Sequence, residues 1–140
     1  MTSELRRLGV ASGVHLVDGS GLSPDDAITP AALVQVLELA VARPGLRTLL
    51  TGLPVAGFSG TLSAGQSVFA GISGAALGSV RAKTGNLDTV TSLAGLVYDK
   101  SGAVLVFAFM ADQVPSAGLL AGAASAIDDA AAALAGCGCG

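Results

Sequence analysis

The stretch that decides the fold runs from Val90 to Ala111 and has the sequence VTSLAGLVYDKSGAVLVFAFMA. Two segments rich in Val, Leu, Phe and Tyr, Val90 to Asp99 and Ala103 to Ala111, flank the tetrapeptide Asp99-Lys100-Ser101-Gly102, which has the glycine that a short hairpin loop favours. This pattern predicts an antiparallel hairpin. Because another strand is predicted from Gly78 to Thr84, we expect three successive strands in an antiparallel meander.

The last of these strands indicates how the sheet is covered. Every residue from Ala103 to Ala111 is apolar, whereas a half-buried strand alternates apolar and polar side chains. We therefore expect a central strand with helices against both of its faces. Two segments are predicted to supply those helices: Thr29-Pro30 opens one that runs through Ala42, and the alanine-rich segment from Pro115 to Ala135 forms the other.

These elements predict the α+β fold class, with an antiparallel meander sheet covered by helices. The 140 residues suit a single domain, and we expect flexible ends at residues 1–12 and 136–140. Hydrophobic residues make up 51% of the chain and charged residues only 12%, which is about half the ordinary share. So few charges give a thin polar coat, which indicates that something else covers part of the surface.

Charge and hydropathy argue against several classes of protein. The net charge is −3 and the seven cations are scattered, so no basic stripe is available for nucleic acid. No run reaches the roughly 18 to 20 uncharged apolar residues of a bilayer span, and Met1 to Val10 lacks the pattern of a signal peptide. Cys137 and Cys139 lack the second ligand pair of a zinc site, so we expect a frayed tail rather than a metal site or a cross-link.

Conventional catalytic constellations are missing from the sequence. The one histidine, His15, has no neighbouring serine, and its short apolar surroundings predict a half-buried structural role. The adjacent carboxylates Asp25-Asp26 and Asp128-Asp129 point apart on a helix, so we expect solvated faces and caps. The sequence implies no metal or organic cofactor.

One motif remains, Arg81-Ala82-Lys83-Thr84-Gly85-Asn86, at the end of a predicted strand and just before the next. An ammonium group and a hydroxyl group that are adjacent on a strand edge can hold a substrate carboxylate. Glycine then lets the ligand backbone come close. The alternative is a coincidental triplet on a structural module, with Lys83 and Thr84 pointing to bulk solvent away from any groove.

Other segments extend this motif in a fixed order. They are Val17–Ser23 (VDGSGLS), Thr29-Pro30, Leu53–Leu62 (LPVAGFSGTL), Ala82–Leu87 (AKTGNL) and Ser92–Gly95 (SLAG). Over about residues 13 to 115 the chain thereby resembles class C penicillin-binding proteins, the D-alanyl-D-alanine carboxypeptidases and endopeptidases of the bacterial cell wall, whose strand motif is Lys-Thr-Gly. The resemblance implies the carboxyl-terminal part of a penicillin-binding or β-lactamase-like transpeptidase domain.

The resemblance also implies roles for four residues. Lys83 and Thr84 would be catalytic: the protonated lysine polarises the site and helps proton transfer to the leaving group, and the threonine hydroxyl binds the terminal carboxylate of the substrate. Gly85 would be the position of close approach, and the backbone N–H of Asn86 would be one oxyanion donor. The partners implied are D-Ala-D-Ala-ended peptidoglycan peptides and β-lactams, outside the cytoplasmic membrane, in the periplasm or cell wall.

The sequence departs from the family pattern at the nucleophile. No serine has a lysine three residues later, and the only asparagine, Asn86, forms no S-x-N element. We therefore expect residues 1–140 to be a partial domain that is inactive alone, and a possible homodimer through uncovered apolar surface around Val104 to Phe109. Non-catalytic wall-peptide binding and a self-associating structural module stay open as alternatives, as does the choice between carboxypeptidase and endopeptidase.

Overall fold

The computed structural model describes residues 1–10, 13–63 and 76–139 of the chain. Its elements, in chain order, are α1 (Thr2–Leu8), β1 (Val14–His15), β2 (Ala27–Ile28), α2 (Pro30–Ala42), α3 (Arg47–Thr51), β3 (Val80–Leu87), β4 (Val90–Tyr98), β5 (Val104–Ala111) and α4 (Ala117–Gly136), with 3-10 turns at Pro44–Leu46 and Gly60–Leu62. The α+β class is as predicted. The glycines and prolines between Gly52 and Gly74 predict a loop-rich section, which beyond Ser63 lies outside the described residues. The flexible ends stay a prediction.

The sheet consists of β3, β4 and β5 in that order, with antiparallel neighbours, which confirms the predicted meander. The predicted position of the last strand is wrong, because β4 is central and β5 is an edge strand in the described part of the chain. Both α2 and α4 lie against β5. A strand between two helices needs apolar side chains on both faces wherever it lies in the sheet, so an uninterrupted apolar run does not report strand order.

One face of the sheet forms the main core with α4. Its buried members alternate along the strands and meet one side of the helix; they are Val80, Ala82, Leu93, Val97, Phe107, Ile127, Ala131, Ala132 and Ala135. The rings of Phe107 and Phe109 stack with centroids 5.2 Å apart. Leu62, from the 3-10 turn before the sheet, is fully buried in the same cluster and anchors that turn to the core.

α2 covers the other face of the sheet. Leu96 is buried but lies outside the main core, since side chains alternate along β4 and Leu93 and Val97 take the opposite side. Leu37 and Ala40 of α2 are likewise buried outside that core, and α2 lies against β4 and β5. The expectation of helices on both sides of the last strand is therefore confirmed.

The predicted signals at the start of α2 and in the hairpin are confirmed. The Thr29 hydroxyl accepts a hydrogen bond from the Ala32 N–H at 3.2 Å, and Pro30 occupies the first turn. In the hairpin, Asp99 Oδ1 accepts from the Ser101 N–H, the Ser101 hydroxyl and the Ala103 N–H at 2.8, 2.6 and 2.9 Å. Gly102 has φ of 87°, which favours glycine.

His15 is exposed, so the predicted half-buried role is wrong. β1 and β2 form a separate two-stranded ribbon that pairs Val14 with Ile28 and His15 with Ala27. Because side chains alternate along a strand, the half-buried Val14 leaves His15 on the outer face. An open cavity of about 350 Å³ lies over this ribbon, lined by residues 13–15 and 27–29.

α4 departs from expectation at Asp128. Asp128 as a residue is only 7% exposed, so the expectation of a solvated face is wrong for it. Burial, with a smaller contribution from the charge of Asp129, raises the pKa of Asp128 to about 6. By length and composition α4 could cross a membrane. We treat it as a core helix, because Ile127 and Ala131 pack in the core and two carboxylates near its middle are costly in hydrocarbon.

Candidate functional site

The Lys-Thr-Gly motif lies within β3 rather than at its end. The strand was expected to stop at Thr84, but pairing with β4 continues to Leu87, which lies opposite Val90. Gly85 pairs with Ser92 and Asn86 pairs with Thr91. All four candidate residues, Lys83, Thr84, Gly85 and Asn86, are therefore held in regular strand geometry by β4.

The edge of β3 away from β4 is covered only over its first residues. There the segment around Val55 bridges Arg81, the Ala82 N–H donates to the Pro54 carbonyl at 3.0 Å, and the Ala56 N–H donates to the Val80 carbonyl at 2.9 Å. This segment runs antiparallel to β3, and after Pro54 it passes toward the start of the strand, where the Gly78 N–H donates to the Ala56 carbonyl at 3.0 Å. The second half of β3 has no strand partner on this edge among the described residues.

The bonds of Val80 and Ala82 fix which backbone groups face this open edge. In an antiparallel strand, alternate residues direct both the N–H and the C=O to the same side. The Val80 carbonyl and the Ala82 N–H point away from β4. By the same alternation, the backbone N–H groups of Thr84 and Asn86 also point away from β4. The open edge thus offers two aligned backbone donors next to the motif side chains.

A short chain of hydrogen bonds joins the motif side chains at this edge. Lys83 Nζ donates to the backbone carbonyl of Thr84 at 2.8 Å and to its hydroxyl at 3.3 Å. The Thr84 hydroxyl in turn donates to Thr61 Oγ1 at 3.0 Å. The ammonium group is exposed and folded back along the strand toward Thr84.

The segment from Pro54 to Ser63 holds Thr61 beside the strand. The Val55 N–H donates to the Ser59 hydroxyl at 3.0 Å, and the Gly57 N–H donates to the Leu62 carbonyl at 2.8 Å, which closes the segment into a compact loop. Its Leu62 is fully buried in the core next to Thr61. Thr61 is the site residue that sequence reasoning missed, although it lies within the quoted LPVAGFSGTL segment.

Gly85 packs closely against Ser92 of β4, a contact that the sequence did not show. A Cβ atom there would lie 2.6 Å from Ser92 Oγ, and the Ser92 hydroxyl donates to the Gly85 carbonyl at 3.1 Å. A side chain at position 85 would therefore require the Ser92 hydroxyl to move, whereas glycine leaves it in place. The Asn86 side chain accepts a 2.6 Å hydrogen bond from the buried Thr91 hydroxyl, which ties it to the sheet.

The Asp18-Gly19-Ser20-Gly21 loop is held by its own side chains. Asp18 Oδ1 accepts from the Ser20 hydroxyl at 2.7 Å and from the Ser20 N–H at 2.8 Å, and these bonds hold the pKa of Asp18 below its ordinary value. Asp26 Oδ1 accepts from the Val17 N–H at 2.8 Å. These contacts suit an architectural role for this loop, which the family resemblance implies.

The expectation of an unbonded, frayed tail differs from the structure. Cys137 and Cys139 form a disulfide. The Cys137 carbonyl accepts from the Lys100 N–H at 3.2 Å, and the Cys139 N–H donates to Asp99 Oδ2 at 3.1 Å. The two sulfurs and an Asp99 oxygen lie within 4.8 Å of one another, but bonded sulfurs offer no thiolate to a metal. Spacing alone could not show that the hairpin carries an acceptor for this tail.

Comparison with known families identifies the class of protein. Residues 1–134 match the D-Ala-D-Ala carboxypeptidase 3 (S13) family. The chain belongs to this family. The resemblance to class C penicillin-binding proteins is thereby confirmed, and the family is one of carboxypeptidases, which are hydrolases.

Relatives of this S13 chain are longer proteins. Carboxypeptidase DacB of Mycolicibacterium smegmatis is 43% identical over 141 residues, which cover 99% of the chain and 29% of the relative. The D-alanyl-D-alanine carboxypeptidase of an Actinomadura species is 38% identical over 99 residues, 70% of the chain and 18% of the relative. The chain spans less than a third of the length of these curated relatives.

Solved structures confirm the fold. Penicillin binding protein 4 of Haemophilus influenzae, crystallised with a β-lactam, superposes with a TM-score of 0.75 at 27% identity, over 92% of the chain and 31% of that protein. A β-lactamase from Sphaerobacter thermophilus superposes with a TM-score of 0.61 at 16% identity, over 93% of the chain and 50% of that protein. The chain therefore has the fold shared by penicillin-binding proteins and β-lactamases.

Proposed function

We propose that the chain is the carboxyl-terminal portion of a serine D-alanyl-D-alanine carboxypeptidase acting on peptidoglycan stem peptides, and that it supplies the wall of the cleft that binds the substrate carboxylate. The observation that carries the proposal is the open edge of β3. There Lys83 and Thr84 are hydrogen-bonded to each other beside two backbone N–H groups that point away from β4.

The chemistry of this edge suits a terminal carboxylate. The Lys83 ammonium has only donors, and the Thr84 hydroxyl can turn its hydrogen from Thr61 to an incoming anion. Charge-assisted hydrogen bonds of this kind are about twice as strong as neutral ones. In this proposal Lys83 and Thr84 bind the substrate carboxylate, and Gly85 lies where the substrate backbone passes.

The same edge provides for the reaction itself. The backbone N–H of Asn86 is one donor to the oxyanion of the tetrahedral intermediate. Lys83, protonated, helps to pass a proton to the leaving D-Ala amine. These roles place a positive charge and hydrogen-bond donors where negative charge develops in the transition state. Such electrostatic stabilisation is usually the largest single contribution to the rate enhancement of an enzyme.

The attacking serine comes, in this proposal, from another part of a longer protein. No serine of this sequence has the S-x-x-K spacing. The longer protein would work outside the cytoplasmic membrane, in the periplasm or cell wall, on D-Ala-D-Ala-ended peptides, and would bind β-lactams. Support comes from the S13 family match and from the β-lactam complex of penicillin binding protein 4.

Intact-mass measurement after incubation with benzylpenicillin tests this proposal. The 140-residue chain alone should show no adduct, whereas the longer protein that contains it should gain one penicilloyl group and release D-Ala from an acylated D-Ala-D-Ala peptide. A stoichiometric adduct on the chain alone would reveal a nucleophile within it and contradict the assignment. A longer protein that neither acylates nor releases D-Ala would contradict the function.

A non-catalytic, self-associating module is the alternative, and one observation bears on it. Large apolar side chains are exposed at the surface, among them Phe58 at 72% and Val104 at 45%. Patches of this kind favour contact with another surface. In light scattering, a homodimer that Val104→Lys dissociates would support self-association, whereas a monomer would leave the cleft-wall role as the one function proposed for the chain.

A further inference from the structure

We propose that Thr61 is a positioning residue for carboxylate recognition, which acts by setting the direction of the Thr84 hydroxyl. The inference rests on the proposed function and extends it to a residue 23 positions away in sequence from Thr84. It starts from the 3.0 Å hydrogen bond between the two hydroxyl groups.

Donor and acceptor counting accommodates a hydrogen bond that runs from the Thr84 hydroxyl to Thr61 Oγ1. A lysine ammonium group only donates, so its 3.3 Å contact with Thr84 Oγ1 uses a lone pair of that oxygen. The single hydrogen of the Thr84 hydroxyl is then left for another acceptor, and Thr61 Oγ1 is that acceptor. Thr61 thus holds the Thr84 hydroxyl on the open side of β3 in the absence of substrate.

The Thr61 hydroxyl can also act as a donor to Thr84 Oγ1. Its hydroxyl hydrogen has no acceptor among the described residues, and its side chain is exposed. When a carboxylate takes the Thr84 hydrogen, the Thr61 hydroxyl can rotate and donate to Thr84 Oγ1 in its place. The oxygen of Thr84 then keeps two donors, Lys83 and Thr61, while its hydrogen binds the anion.

The loop around Thr61 is built to keep this distance. Leu62 is fully buried, and Val55 bridges Arg81 only three residues before Thr84. Gly60 has φ of 56°, and a Cβ atom there would lie 2.9 Å from Pro54 Cγ. The loop is therefore fixed to the core at Leu62 and to β3 at Val55, on either side of Thr61, which makes the hydroxyl contact a property of the packed domain.

The test compares a β-lactam acid with its ester in the longer protein that contains the chain. Acylation rates are measured with benzylpenicillin and with its methyl ester, which lacks the carboxylate. Thr61→Val, which keeps the shape and removes the hydroxyl, should lower the rate with the acid about tenfold, as expected for a hydrogen bond that serves a charged group, and should leave the rate with the ester unchanged. Thr61→Ser should restore the acid rate.

Ser63→Ala is the matched control, because the Ser63 hydroxyl donates within the same loop, to the Gly60 carbonyl at 2.9 Å, and not to Thr84. It should leave both rates unchanged. An equal loss with acid and ester in Thr61→Val, or an unchanged acid rate, would overturn the inference. Thr61→Ala, compared in the same way, serves if the valine variant does not fold. A wild-type protein that does not prefer the acid would instead contradict the proposed function.

Discussion

The backbone N–H of Cys139 donates to Asp99 Oδ2 over 3.1 Å, although forty residues separate the two in the chain. The other oxygen of the same carboxylate accepts three hydrogen bonds within the β4–β5 hairpin. One buried residue therefore fastens both the hairpin turn and the tail that follows α4.

Asp99 should matter more to stability than the disulfide does. Asp99→Ala leaves several donors without an acceptor and should lower the free energy of unfolding by about 2–3 kcal/mol. Opening the three-residue ring by Cys137→Ser should cost only about 1–2 kcal/mol, since a small ring constrains the unfolded chain little. Urea denaturation under oxidising conditions measures both.

Asp99→Asn is the matched control, because it keeps an acceptor oxygen and should lose less than the alanine variant. Equal stability of Asp99→Ala and the wild type would show that the carboxylate does not fasten these elements.

Asp128 should make stability depend on pH in the direction opposite to most acidic residues. Its pKa is raised from 3.8 to about 6 in the folded chain. The neutral carboxyl group therefore contributes its full stabilisation of the folded chain below about pH 4. That contribution is lost as the pH rises through about 6. Asp128→Asn should then be more stable than the wild type at pH 7, by about 3 kcal/mol at most, and equally stable near pH 3.

Thermal denaturation from pH 3 to pH 8 gives the comparison, with the exposed Asp88, which does not act on Asp128, changed to asparagine as the control. A constant difference between Asp128→Asn and wild type across this range would show that the carboxylate does not titrate as inferred.

Local signals in the sequence predicted the elements that local chemistry controls. Thr29 and Pro30 start α2 because a hydroxyl and a fixed φ satisfy the first turn without help from elsewhere. The hairpin at Asp99 to Gly102 depends in the same way on a carboxylate and a glycine three residues apart. The family resemblance singled out Lys83, Thr84, Gly85 and Asn86, which are consecutive residues of β3.

Features that depend on tertiary packing were not predictable. The apolar run of β5 led to the expectation that this strand is central. The run instead reflects the helices on both faces of β5, and it carries no information about the neighbouring strands. Asp128 is buried by the packing of α4, and His15 is exposed because only one face of its ribbon is covered. Thr61 reaches Thr84 only through the folded loop, so no spacing rule could pair them.

Gly95 should tolerate no side chain. A Cβ atom there would overlap the Arg81 carbonyl and lie 2.6 Å from Ala82 Cα, both backbone atoms of the neighbouring strand. Gly95→Ala should therefore force β3 away from β4 and lower the free energy of unfolding by more than about 3 kcal/mol. Gly122→Ala is the control: it lies in α4 with open space around it, and should stabilise by about 1 kcal/mol. A folded Gly95→Ala chain of wild-type stability would contradict this register.

Gly85 allows its packing role to be separated from its proposed role in ligand approach. Gly85→Ala should destabilise the chain because the new Cβ atom meets Ser92 Oγ, and Ser92→Ala in the same chain should restore stability. If the substrate backbone also passes at Gly85, the stable double variant should still bind D-Ala-D-Ala peptides more weakly than Ser92→Ala alone. Full binding by the double variant would restrict Gly85 to a packing role.

The central claim is that the open edge of β3 holds a terminal carboxylate through Lys83 and Thr84. Its most direct test is an amide NMR titration of the ¹⁵N-labelled chain with an N-acylated D-Ala-D-Ala peptide and with the same peptide ending in an amide. We predict saturable shifts at the Thr84, Gly85 and Asn86 N–H signals with the acid alone, and their loss in Lys83→Met. Equal shifts with both peptides, or shifts confined to other parts of the chain, would contradict the claim.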